Sequence, residues 1–276
     1  MTVEPAEAVI RMTGTGGSSR SAHCIDVLGV RIDAVTMAQA ARAFEQMIES
    51  RHPHLVFNVN VDICMQARRD ADLASILRAA DLVLVDGTPM MWAARLLGTP
   101  LPERVSGSDF LPRFCQVAAG AGYRLFLLGA SPGVAQRASE VLEGRFPNLH
   151  VVGTYSPPYG FECDDRENGR IVEHVRRASP DVLFAAFGVP KDQKWLYRFR
   201  DDLGVPVSMG VGSSLDYLAG RLRRAPRWMQ PLGLEWLYRL AQEPRRLWRR
   251  YLLNDPPFFY HLMREMLRRR AVGRRP

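Results

Sequence analysis

Leu55-Val56-Phe57-Asn58-Val59-Asn60 and, further on, Leu82-Val83-Leu84-Val85-Asp86-Gly87 decide the fold of this chain. Each is a β-branched or apolar run too short for a helix, and each ends in polar or glycine residues. Between them, the stretch from Asp62 to Ala79 reads as a helix, and Met90 to Leu97 forms another after the second run. The alternation continues. Tyr123 to Leu128 is a strand followed by Gly129-Ala130-Ser131-Pro132-Gly133 and a helix over 134–145. Val151-Val152-Gly153, Val182 to Phe187 and Val207 to Gly212 are the remaining candidates. Repeated βα units of this kind predict an α/β fold with a mainly parallel sheet flanked by helices. Beyond Asp216 the strand pattern stops, and helices separated by prolines follow.

The chain of 276 residues suits one catalytic unit with an appendage. Residues 1–22, rich in Gly, Ser, Thr and Ala, read as a disordered leader, 23–220 as the α/β domain and 221–276 as a helical appendage. No apolar run reaches the length of a membrane span and no secretory signal opens the chain, so the expected location is the cytoplasm. The four cysteines are widely spaced and the histidines lack metal-binding spacing, which predicts reduced thiols, no metal and no cofactor.

The formal charge of +8 is unevenly placed. Residues 221–276 hold 15 arginines against Glu235, Glu243, Asp255 and Glu265, which makes that segment +11 and leaves −3 for the rest. Its arginines alternate with Trp228, Trp236, Tyr238, Trp248, Tyr251, Phe258, Phe259 and Tyr260. Tryptophan and tyrosine favour the headgroup level of a bilayer, and arginine pairs with anionic phosphate, so the expected partner is the inner face of the plasma membrane. A solvated helical appendage that packs its aromatics on the body is the plainer alternative. Nucleic acid is not expected, since no recognition-helix, RNP or OB signature accompanies the charge. A homo-oligomer is compatible with the sequence but not specified by it.

Turns that follow parallel strands gather at the carboxyl edge of the sheet, where helix N-termini and free backbone N–H groups favour a phosphate-bearing ligand. Gly129 and Ser131 lie in one such turn, Gly188, Lys191 and Gln193 in another, and Gly212 and Asp216 in a third. None is decisive alone, because such turns also exist only to join strand to helix. Gly210-Val-Gly212 lacks the third glycine of a dinucleotide fingerprint, which argues against a nucleotide-cofactor oxidoreductase. Asp86 stands at the mouth of a strand and could act as a general base, but an Asp before Gly is more often a turn or cap residue. Arg104 could hold a phosphate or pair with Glu103 or Asp109.

Asn58-Val-Asn60, Ala80 to Gly87, Glu103-Arg104-Val105-Ser-Gly107, Leu127 to Ala130, Phe187-Gly188-Val-Pro190-Lys191, Gly210-Val-Gly212 and Asp216 to Gly220 stand in this order, followed by Arg224-Ala225-Pro226, Leu234 to Arg239 and Glu243 to Arg246. As a set they resemble the WecG/TagA/CpsF family of bacterial glycosyltransferases, over about Leu55 to Arg250. The resemblance implies a Rossmann-like body, a UDP-sugar donor, metal-independent inverting transfer and a polyprenyl-diphosphate-linked saccharide acceptor, in the synthesis of exopolysaccharide or another cell-envelope polymer. It implies that Asp86 is the catalytic base, with Asn58, Asn60 and Arg104 in the same site. Arg224, Arg239, Arg246 and Arg249 are implied as substrate-binding arginines. Two departures bear on donor choice: Asn58 stands where the family often has Thr, and Asp192-Gln193-Lys194 replaces the usual Gln-Glu-x. N-acetylmannosamine and a hexose are both admitted. From a different class, a non-catalytic basic adaptor that binds anionic membrane or nucleic acid through its tail shares the charge pattern but not a dependence on Asp86.

Overall fold

The computed structural model describes residues 24–226 and 228–272, so the expected leader over 1–22 lies outside the described residues. The chain opens with an antiparallel hairpin, β1 (Cys24–Val27) and β2 (Val30–Asp33). Its Leu28-Gly29 turn takes φ of 56° and 88°, the doubly positive geometry that matches the twist of a tight hairpin. Asp33 accepts a hydrogen bond from the Val83 backbone N–H at 2.8 Å, which ties the hairpin to the edge of the main sheet. Helix α1 (Met37–Ser50) follows, begun by a reciprocal capping box between Thr36 and Gln39.

The main sheet has six strands: β3 (His54–Val59), β4 (Leu82–Val85), β5 (Arg124–Gly129), β6 (His150–Tyr155), β7 (Val182–Ala186) and β8 (Val207–Gly210). Their order is β4-β3-β8-β7-β5-β6, and every neighbouring pair is parallel. The helical crossovers are α2 (Val61–Ala67) and α3 (Ala71–Ala79), α4 (Thr88–Leu96) and α5 (Gly107–Ala121), α6 (Val134–Arg145), α7 (Asp165–Ala178) and α8 (Lys191–Leu203). The single helix expected over 62–79 is two, because Asp70 leaves the helical path and its carboxylate accepts from the Leu73 N–H at 3.0 Å as an N-cap. The hairpin and α1, which precede the first unit read from the sequence, are additions to the expected set.

Strand alternation divides the core. Leu55, Phe57 and Val59 point to one face with Val83, Val85 and Leu183, under helices α2, α3, α7 and α8. Val56, Leu82, Leu84, Phe184 and Met209 point to the other, under α1, α5 and α6. There Phe44 lies 4.6 Å from Phe110 and 4.9 Å from Phe114 between ring centroids. Each such phenylalanine contributes about 1.5–3 kcal/mol by burial.

After α9 (Ser214–Leu218) the chain forms no further strand among the described residues, and continues as α10 (Glu235–Gln242), α11 (Pro244–Arg249), a π-helical turn over Arg250–Asn254 and α12 (Pro257–Val272). Phe258 and Leu262 of α12 are buried in the same core as Ile63 and Leu73, so this last helix is fastened to the body. Its neighbours Phe259, Tyr260, Met263 and Leu267 are more than half exposed.

Candidate active site

A cavity of about 690 Å³ opens at the carboxyl edge of the sheet. Its floor comes from residues just after β3, β4, β7 and β8, and its roof from the C-terminal segment between Arg224 and Phe259. The turns after β5 and β6 take no part in the lining. The position agrees with the rule that open parallel sheets bind ligands where neighbouring strands send their connections in opposite directions.

Asp86 is the first residue beyond β4. Its backbone N–H donates to Val59 O at 2.8 Å, continuing the pairing with β3 and fixing where the carboxylate points into the cavity. The cap reading does not hold: Gly87, at φ 95°, is the N-cap of α4, and no side chain caps that helix. Burial pushes the Asp86 carboxyl above the ordinary carboxylate range; Arg104 draws it back, Glu235 raises it, Arg239 lowers it and Asp109 raises it.

Around Asp86 the charges interlock. Arg104 donates to Glu235 Oε2 at 2.6 Å and to Asp109 Oδ2 at 3.2 Å. Arg224 grips Asp109 with both terminal nitrogens, one at 2.7 Å, and Ser106 Oγ donates to the same carboxylate at 2.7 Å. These guanidinium forks hold Asp109 below the usual carboxylate range against the effect of its burial. Arg239 donates to Ser213 Oγ at 3.0 Å and lies 5.8 Å from the Tyr217 ring centroid, while burial works against its charge and the neighbouring tyrosines and acids sustain it.

Among the described residues, five lining side chains keep a buried polar atom with no hydrogen-bond partner in the protein: Asn58 Oδ1, Gln193 Oε1, Arg239 Nε, Arg250 Nε and Asp255 Oδ1. Unpaired groups of this kind cost stability unless a ligand or water completes them. Asn58 is also closely walled, since a Cβ on Gly107 would lie 2.6 Å from its Nδ2 and 3.2 Å from Ser214 Oγ. Asn60 caps α2 by accepting from the Ile63 N–H at 3.1 Å and lines the cavity as well. Beneath the Gly188 and Gly212 turns, buried Asp192 accepts from the Phe187 N–H at 2.6 Å, and burial pushes its carboxyl up to about 7.

The structure thus brings together Asp86, Asn58, Asn60, Arg104, Gly188, Gln193, Gly212, Arg224, Arg239 and Arg246. It places five other candidates outside the lining. Gly129 serves strand packing: a Cβ there would meet Ala186 O at 2.7 Å. Ser131 and Asp216 both accept from Arg221, with the Asp216 contact at 3.1 Å. Lys191 binds Glu162 and lies 5.0 Å from the Tyr159 ring. Arg249 faces outward against Trp248, 5.3 Å from its ring centroid. Its neighbour Arg250, unread from the sequence, turns inward instead, because the π-helical turn begins there. Arg250 meets Asp62 at 3.2 Å and Asp255 at 3.8 Å. Burial pushes the Asp255 carboxyl up to about 7. Glu235, Tyr217, Trp236 and Tyr251 also line the cavity without having been singled out for it.

Comparison with known proteins supplies the family. A model of the family described as "Glycosyl transferase WecG/TagA/CpsF family" matches residues 25–272. The chain is 31% identical, over 83% of its length and 86% of the relative's, to the N-acetylglucosaminyldiphosphoundecaprenol N-acetyl-beta-D-mannosaminyltransferase of Bacillus subtilis (strain 168). It is 29% identical, over 86% and 91%, to the protein of the same description from Staphylococcus aureus (strain MW2). With a parallel α/β body, a carboxylate at its carboxyl edge and a family match across nearly all of its length, this chain belongs to the WecG/TagA/CpsF family and is a glycosyltransferase.

Proposed function

We propose that this enzyme transfers an N-acetylhexosamine of the N-acetylmannosamine type from a UDP-sugar to a polyprenyl-diphosphate-linked N-acetylglucosamine, with inversion at the anomeric carbon. The observation that carries this reading is Asp86, a raised carboxyl in a cavity roofed by arginines. The named activities of the relatives supply the sugar and lipid classes. In the reaction, an acceptor hydroxyl oxygen bonds to the anomeric carbon while its proton passes to Asp86. The bond from that carbon to the donor phosphate breaks, and its electron pair leaves with UDP. Arg239 and Arg246 neutralise the charge that develops on the departing diphosphate, as a guanidinium fork suits phosphate oxygens. Asn58 and Gln193 offer their unpartnered carbonyl oxygens to N–H or O–H groups of the substrates.

The acceptor is delivered from the inner leaflet. No helix among the described residues is long and apolar enough to cross a membrane. Trp228, Leu232, Leu252, Leu253, Phe259 and Met263 are instead exposed on the arginine-rich segment that roofs the cavity, a combination suited to an anionic lipid surface. Changing Leu252→Asp together with Leu253→Asp is expected to lower partitioning to phosphatidylglycerol vesicles by about tenfold or more, and unchanged partitioning would remove the docking surface from the account.

UDP release across a panel of UDP-sugars, with a short-chain prenyl-diphosphate N-acetylglucosamine, tests the reaction. Release confined to one donor, dependent on acceptor and lowered about a thousandfold by Asp86→Asn, is the expected result. An Asp86→Asn enzyme with the parental rate would refute the role of Asp86.

A further inference from the structure

Arg104 lies in a stretch, 97–106, outside any helix or strand, so its guanidinium stands where its partners hold it. The Val105 N–H donates to Val85 O at 3.1 Å, which brings the arginine beside Asp86, the residue after Val85. Of its two carboxylate partners, Asp109 is already gripped by Arg224 and Ser106 and accepts from Arg104 at only 3.2 Å. The shorter contact, 2.6 Å, is to Glu235, on the C-terminal segment 131 residues away in sequence. Both side chains are largely buried, 19% exposed for Arg104 and 25% for Glu235, so the pair is not one of the solvent-screened surface bridges that contribute little.

Glu235 opens α10 and Arg239 follows four residues later on the same helix. Side chains at that spacing share a face, so the packing of α10 sets an anion on Arg104 and a cation on Ser213 together. From this geometry we infer that Glu235 is a positioning residue: docking of α10 sets its carboxylate on Arg104 and so fixes the charge that Asp86 meets when the acceptor hydroxyl is activated. The inference rests on the proposed role of Asp86 as base.

The charged and titratable groups that act on Asp86 are Arg104, Glu235, Arg239 and Asp109, with Arg224 and Tyr217 beyond them. Arg104 draws the Asp86 carboxyl down and Glu235 pushes it up. Glu235 thus keeps Asp86 basic in two ways, by its own charge and by engaging the Arg104 guanidinium that draws the carboxyl down. A base near the working pH takes a proton more readily than a strongly acidic carboxylate.

The test is the acidic limb of kcat/KM against pH, measured on the full chain with vesicle-borne acceptor. Glu235→Gln is expected to move that limb to lower pH by about half a unit or more, and to lower the plateau about tenfold. Glu235→Asp keeps the charge with a shorter reach and moves the limb the same way by less than half as much, which preserves the test should Glu235→Gln fail to fold. Thermal unfolding of each variant is recorded alongside. A limb that stays in place in both variants while the melting temperature falls would make Glu235 a structural bridge only and overturn the inference. Asp86→Asn in the same assay separates the two claims: a parental rate there defeats the base assignment, whereas a lost rate with an unmoved limb in the Glu235 variants defeats only the positioning role.

Discussion

The carboxyl edge of this sheet has two halves built to the same plan with different outcomes. Over β4, β3, β8 and β7 the strands end in Asp86, Asn60, Val211-Gly212 and Phe187-Gly188, and their side chains and backbone open into the cavity. Over β5 and β6 the Gly129 to Gly133 turn is tied to the ends of the neighbouring strands: the Ala130 N–H donates to Ala186 O at 2.7 Å, and Ser156 Oγ donates to Gly129 O at 3.0 Å. Both halves have glycines at positive φ and a helix beginning close by. What separates them is the third dimension. The C-terminal segment lies over the first half and supplies guanidinium groups, whereas the second half receives Arg221, bound to Ser131 and Asp216. A phosphate-friendly turn becomes a site where unpaired polar atoms and countercharge meet over it.

Paired substitutions break the comparison most sharply. Removing a guanidinium from the open half, Arg239→Ala, is expected to lower kcat about a hundredfold, whereas Ser131→Ala in the closed half should leave it within about twofold. A loss of similar size for both would mean that the whole edge takes part. A smaller effect concerns the wall of the open half. Gly107→Ala places a methyl group 2.6 Å from Asn58 Nδ2, so thermal unfolding should reveal a destabilisation of about 1–3 kcal/mol, with a raised donor KM. An unshifted melting temperature would show that Asn58 can move freely.

The smallest effect is on stability against pH, at the roof. The Asp255 carboxyl is pushed up to about 7 from an unfolded value near 3.8, so the folded state binds the proton more tightly. Its contribution is therefore fully present below the unfolded value and is lost as pH rises through about 7. Asp255→Asn cannot ionise and should gain on the parent by on the order of 1 kcal/mol between pH 5 and pH 8. Equal pH dependence of the two melting curves would contradict this.

The parallel body was legible because its strands are buried on both faces and so read as continuous apolar runs ending in glycine or acid, as Leu82 to Gly87 does. The β1–β2 hairpin was not, since its turn has Leu28 at φ 56°, and leucine carries no signal for that conformation. The break before α3 depends on one carboxylate choosing a backbone N–H, which a helical pattern with two arginines ahead of it conceals. In the site, Asp86 alone reads as a cap; only the motif set of the family pointed to the role proposed for it, and with Gly87 as N-cap its carboxylate is not spent on capping α4. Charge composition showed that arginines would matter, but not which ones face inward. Arg249 and Arg250 are equivalent in composition, and the widened turn that begins at Arg250 separates them. Glu235 reads in the sequence only as one of the few acids of the tail, because its partner, Arg104, lies far off in sequence and only the fold joins them.

The most direct test is a structure of the full chain with UDP bound. The account predicts the diphosphate under the roof, against Arg239 and Arg246 and facing Asp86, with the Gly129 to Gly133 turn unchanged. A diphosphate seated instead on that turn, beside Ser131 and Arg221, would contradict it.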